Sequence, residues 1–256
     1  MSAFAIALIF FACTAAAALA GMILRANLPP HHLDTDSKDV LKLIMGLVAT
    51  MSALVLSLLI ASAQSSYNTQ RDDLQRIAAD VVELDRLLAH YGPDADSTRA
   101  LLRQSLAAAH DAIFGANGVR AEGIDPQSMR GQSDKFYDLL TALSPKTDAQ
   151  RFIQGRALEL SSSIAQMRLL IFERIGGSIS PPFLVLLIFW ISMLFMGFGL
   201  FARVHFTTLS GLFLGAVSVS AAMFVILELN EPYGGLIRLS DAPFRQALSQ
   251  VGQPAP

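Results

Sequence analysis

The sequence predicts an all-α integral membrane protein with four transmembrane helices and a helical cytoplasmic insert between the second and third. Three observations predict it. Of 256 residues, 53% are hydrophobic and only 16% are Asp, Glu, Lys or Arg, against roughly 25% charged in a globular protein. The apolar residues fall in four runs, each long enough for the about 20-residue helix that crosses a hydrocarbon core. The charge falls mostly in one stretch: Gln64–Ser180 holds 13 of the 19 Lys and Arg and 15 of the 21 Asp and Glu.

The expected organisation has four parts. Residues 1–63 form a first transmembrane hairpin, with spans at Ala3–Leu24 and Val40–Ala63. Residues 64–180 form the helical cytoplasmic domain. Residues 181–229 form a second hairpin, with spans at Pro182–Phe201 and Thr207–Leu227, and residues 230–256 are a cytoplasmic tail. Ala18-Leu19-Ala20 before Gly21 has the small-residue character of a signal-peptidase site. The n-region carries no Lys or Arg and the apolar run is long, so a retained helix is preferred. Lys42 lies one turn inside the second span and can snorkel to the interface.

After the second span no Gly or Pro interrupts the chain until Gly92-Pro93. Leu74, Ile77, Val81, Leu84 and Leu88 step by three and four, which makes one stripe of an amphipathic helix. Val40 to about Tyr91 is therefore expected as one helix, roughly 75 Å long at 1.5 Å per residue. Ser97 is the expected N-cap of a second helix carrying Leu101, Ala109 and Ile113. Gly115–Gly131 reads as a loop and Asp134–Leu143 as a short helix. Thr147 or Asp148 caps a long helix, about Ala149–Ile175, with the stripe Ile153, Ala157, Leu160, Ile164, Met167, Ile171. Gly176-Gly177 is a hinge, and Pro181-Pro182 suits the first turn of the third span. In the tail a short helix is expected near Ala242–Val251, ahead of a frayed Gln253–Pro256 end.

Charge and motifs exclude several function classes. The net charge of −2 gives no basic field for nucleic acid. A single Cys13 rules out an intramolecular disulfide and CxxC chemistry. No G-x-S-x-G, H-E-x-x-H or P-loop is present, so no enzyme activity, cofactor or metal is expected. His31-His32-Leu33-Asp34-Thr35-Asp36 is taken as a solvated polar loop rather than a metal site. Flanking Lys and Arg favour a cytoplasmic insert with both termini on the same side.

The second span carries the sharpest pattern. Gly46, Thr50, Ala53, Ser57, Ala61, Gln64 and Asn68 recur at steps of three and four, a small polar face on a Leu/Ile/Met/Val helix. It is either the wall of a permeation path or a surface for close helix packing. Gly211, Gly215, Ser218 and Ala222 set a small-residue ridge on the fourth span, expected to let another helix approach closely. Two polar junctions follow the second and fourth spans. The first contains Gln64, Tyr67, Asn68 and Arg71; the second contains Glu228, Glu231, Pro232, Tyr233, Gly234 and Arg238. Either arginine could pair with Glu228 or Glu231, and the junctions serve as a structural collar or as part of an ion gate.

These junctions resemble the bestrophin-like family, bacterial four-span membrane proteins. The stretches that carry the likeness are Leu56–Arg71, Ala79–Arg86 with Tyr91-Gly92-Pro93, and Leu227 through Arg245. Glu231-Pro232-Tyr233-Gly234 is similar to the acid, Pro, aromatic, Gly order after the fourth span of true bestrophins. The resemblance implies a bacterial inner (plasma) membrane protein and a homo-oligomer, a pentamer if it extends to the bestrophin channels. It also implies a channel for small anions, with Thr50, Ala53, Ser57, Ala61, Gln64 and Asn68 lining the path and Arg71 at its cytoplasmic mouth. Gly235-Leu236-Ile237 stands where animal bestrophins have a calcium-binding acidic run, so no calcium site carries over. The alternative is a non-conducting scaffold or sensor that docks a cytosolic partner through the stripe Ile153–Ile171 or the loop Gly115–Gly131.

Overall fold

The computed structural model describes residues 2–27, 35–115, 126–175, 181–202 and 205–253. The elements are α1 (Ala3–Asn27), α2 (Thr35–Tyr91), a short 3-10 turn (Pro93–Ala95), α3 (Asp96–Phe114), α4 (Pro126–Ala142), α5 (Asp148–Ile175), α6 (Pro181–Phe201), α7 (Phe206–Asn230) and α8 (Ala242–Gln250). Among the described residues no strand occurs. Helices α1, α2, α6 and α7 are each long and apolar enough to cross a membrane. The 57 residues of α2 form a single helix, about 85 Å long at 1.5 Å per residue.

Several boundaries differ from expectation. Helix α2 starts at Thr35, five residues before Val40. Helix α3 begins at Asp96, with Ala95 as its N-cap and Ser97 inside the first turn, because Pro93–Ala95 already winds a 3-10 turn ahead of it. Helix α4 is longer than predicted and starts at Pro126, since a proline at the first helical position sacrifices no internal hydrogen bond. At Gly92 the backbone takes φ 112°, open to glycine and strained for other residues, and this ends α2. Thr147 does cap α5: its Oγ1 accepts from the Gln150 N–H at 3.1 Å. His31–Asp34, most of the Gly115–Gly131 loop, Gly176-Gly177, Arg203 and residues 254–256 lie outside the described residues.

The chain divides into two compact units, Met1–Ser66 with Ser178–Asn230, and Tyr67–Gly177 with Glu231–Pro256. In the first, α1 packs along α6 and α7, with Phe10, Leu187 and Met223 fully buried. The α1–α6 contact is backbone on backbone. A Cβ at Gly21 would stand 2.0 Å from the Met196 carbonyl oxygen, and one at Gly199 would stand 2.1 Å from that of Ala18. The small residues that resembled a cleavage site are therefore those that let α1 meet α6. The Arg25 guanidinium donates to the carbonyls of Phe201 and Ala202, satisfying the C-terminal end of α6.

The ridge on α7 behaves differently. Gly211 has open space around its Cα and Gly215 meets only the Phe195 ring at 3.4 Å. Gly211 and Ser218 are exposed, while Ala216, Ser220, Met223 and Leu227 face the interior. The close approach expected there occurs instead at Gly21 and Gly199.

In the second unit the α2 stripe is buried as its spacing predicts: Leu74, Ile77, Val81, Leu84 and Leu88 all have 5% or less of their surface exposed. The α5 stripe Ile153–Ile171 packs into the same core. On α3 the buried line is Thr98, Leu102 and Leu106, one position on from the predicted Leu101. The tail joins this core through Leu239, Phe244, Ala247 and Val251. Asp85 fixes it there. Both its oxygens accept from Arg99 at 3.0 Å, and Oδ2 also accepts from the Gly252 N–H at 3.1 Å. Arg99 in turn donates to the Gln253 carbonyl.

Candidate functional site: the polar face of α2 and an arginine-lined cleft

Within the first unit, α2 turns Ser52, Val55, Leu56, Leu59 and Ala63 toward the other helices. At 100° per residue, Thr50, Ala53, Ser57, Ala61 and Gln64 fall about 140° around the helix from that packed line. All five are exposed, and so is Asn68. This face is consequently not a packing surface inside the chain. Beside it, Leu43, Leu47, Leu54 and Leu58 are also exposed, at 63–75%. Only 6% of the apolar stretch of α2 is buried, against 28%, 28% and 39% for α1, α6 and α7. The hydroxyls of Thr50 and Ser57 donate back to Gly46 and Ala53 at 2.9 and 2.8 Å, which satisfies the donors but leaves oxygen lone pairs on the surface. Lys42 donates to Asp39 at 2.9 Å on the helix surface.

The second unit builds a cleft of about 850 Å³ along α2, walled on the other side by the tail and α8. Tyr67, Arg71 and Arg238, singled out from two junctions far apart in sequence, line this one cleft. Arg86 joins them, on a residue that spacing alone did not mark. Glu83 also faces the cleft, but its carboxylate is held by Arg156 at 3.3 Å. Among the described residues, Arg71, Arg86 and Arg238 make no ion pair, so the cleft carries net positive charge. Gln75, Gln246 and Gln250 add amide donors and acceptors.

The second junction forms a turn. Gly234 and Gly235 donate their N–H groups to the Glu231 carbonyl, and Leu239 donates to that of Pro232. Pro232 and Tyr233 are buried while Glu231 and Gly234 are exposed. The pairing expected of Arg238 with Glu231 is not formed; Arg238 Nε donates to the Gly235 carbonyl at 2.9 Å, because the turn brings that oxygen closer. Glu228, in the first unit, is buried at the end of α7.

A model of the bestrophin-like domain matches residues 12–244. The chain belongs to the bestrophin-like domain family. The match begins within the first apolar helix and takes in the other three and the whole of the polar segment between the second and third. No curated protein and no solved structure matches the chain.

Among the described residues this member of the family brings no three His, Cys, Asp or Glu side chains together. Its chemistry is that of polar faces and guanidiniums. Burial raises the Asp80 carboxyl above its ordinary value, reinforced by the neighbouring Glu83 and opposed by Arg76 and Arg156.

Proposed function

We propose that this bestrophin-like protein is an oligomeric channel for small anions in the bacterial inner membrane. Its insert and termini lie in the cytoplasm, and copies of α2 surround the path. One observation carries this reading: the polar stripe of α2 lies opposite the face that packs within the chain and is left exposed. A stripe of Thr, Ser, Gln and Asn has no favourable solvent in lipid tails. Water in a path lined by several copies suits it, with the exposed leucines beside it covered by neighbours or lipid. The steps of three and four that set out Thr50, Ser57, Gln64 and Asn68 continue through Arg71, Gln75, Ala79, Val82 and Arg86, five of the nine α2 residues that line the arginine cleft. Hydroxyl and amide groups can replace part of an anion's hydration shell, and nearby guanidiniums raise its local concentration.

The scaffold alternative loses one of its two surfaces, since the stripe Ile153–Ile171 is spent in the core of the second unit.

Chloride flux into liposomes tests the proposal. Wild-type protein is expected to pass chloride well above protein-free liposomes. Ser57→Phe, which adds bulk on an exposed face and leaves the fold intact, is expected to cut the flux at least tenfold. If wild type passes no more than empty liposomes, the protein is not a channel. If Ser57→Phe conducts like wild type, α2 does not line the path.

A further inference from the structure

Where α2, α3, α4 and α5 meet, the core of the second unit keeps a cavity of about 50 Å³. Leu84, Leu102, Phe136 and Ile164 give it apolar walls, one or more from each helix. Its polar lining is Ser105 from α3 with Ser161 and Arg168 from α5. Ser161 and Arg168 are two turns apart and share a face of α5.

Three features of this lining point the same way. Arg168 is half-buried among apolar side chains, and among the described residues no carboxylate opposes it; burial alone pushes its guanidinium below the ordinary value. Partial burial of a cation without a partner is unfavourable, and an anion beside it offsets that cost. The two serines add hydroxyl donors. Unlike those of Ser57 and Ser218, which return to their own helix, the hydroxyls of Ser105 and Ser161 make no hydrogen bond among the described residues. Finally, the volume has room for a small anion, since about 10–15 Å³ of probe-occupied space already holds one water.

We propose that this cavity is a binding site for a single halide-sized monovalent anion, held by the Arg168 guanidinium and the hydroxyls of Ser105 and Ser161. The site lies among helices of one unit, away from the polar stripe of α2, and does not depend on conduction. The anion ties α3 to α5 and stabilises the folded unit by mass action.

Thermal unfolding of the full-length protein in detergent, in sodium chloride, sodium bromide or sodium gluconate at equal ionic strength, tests it. The wild-type midpoint is expected to rise with chloride and bromide concentration and not with gluconate. Ser161→Ala, a small change that keeps the fold, is expected to raise the half-saturating chloride concentration about tenfold, the value of one hydrogen bond to a charged group. Arg168→Met is expected to abolish the response. Ser57→Phe is expected to leave it unchanged, which separates this site from the proposed path. Equal midpoints in chloride and gluconate would mean that the cavity holds water only. A halide response in Ser161→Ala with the wild-type half-saturating concentration would place the anion elsewhere. Either result overturns the proposal.

Discussion

One helix, α2, spends its two halves in opposite surroundings. Along the stripe Leu74, Ile77, Val81, Leu84 and Leu88 its side chains are at most 5% exposed; between Leu43 and Leu58 several leucines are more than 60% exposed. Both halves obey the same 3.6-residue period. The difference is in what the period sorts. In the water-facing half it separates leucine from charge, so one face must be covered by α3, α5 and the tail. In the membrane half nearly every position is apolar and lipid can cover any of them. Only the minor component, small and polar, is singled out, and it lies on the face that the chain leaves bare.

The largest expected effect breaks this contrast directly. Leu84→Ala opens a hole in a fully buried position and should destabilise the second unit by about 2–5 kcal/mol, read as a lower midpoint in chemical denaturation. Leu58→Ala, the same change on the bare half, should alter the midpoint by less than about 0.5 kcal/mol. Equal losses would show that Leu58 is buried in the native assembly.

Asp85→Asn comes next. It removes the charge from a carboxylate that is 5% exposed, leaving Arg99 unpaired. Breaking such a pair costs about 3–5 kcal/mol when fully buried, and less here because Arg99 retains the Gln253 carbonyl. Limited proteolysis should then cut the tail near Gly252 before the rest of the unit.

The glycine pair sharpens the contrast within the membrane unit. Gly199→Val drives a side chain into the Ala18 carbonyl and should cost about 1–3 kcal/mol. A Cβ at Gly211 meets nothing within 4 Å, so Gly211→Ala should leave the thermal midpoint of detergent-solubilised protein unchanged.

The smallest effect is a pH dependence. The Asp80 carboxyl is raised by burial and then by Glu83, so folding favours its protonated form. Its contribution to stability is greatest below the ordinary aspartate range and is lost as the pH rises through the raised value. Asp80→Asn should therefore stabilise the protein slightly at pH 7, by under about 1 kcal/mol. That gain should vanish near pH 3, as denaturation at the two pH values would show.

Much of this was legible in one dimension. Four apolar runs, the unbroken register from Val40 to Tyr91, the stop at Gly92-Pro93 and the cap at Thr147 are local consequences of hydropathy, period and backbone freedom. The polar stripe of α2 was visible for the same reason. The start of α4 at Pro126 was missed because Gly131 and the surrounding polar residues read as loop.

The sequence by itself therefore determined which segments are helices, which of them suit lipid, and which face of α2 is chemically distinct. Those properties depend on neighbours a few residues apart. Only the tertiary structure decided that Gly21 and Gly199, not Gly211 and Gly215, mark the close helix contact. It alone joined Arg71 and Arg86 to Arg238 in one cleft, set Asp85 against the end of the tail, and left Arg168 beside a cavity with no acid among the described residues. Each of these turns on a distance between residues remote in the chain, and local spacing does not encode which remote surfaces meet.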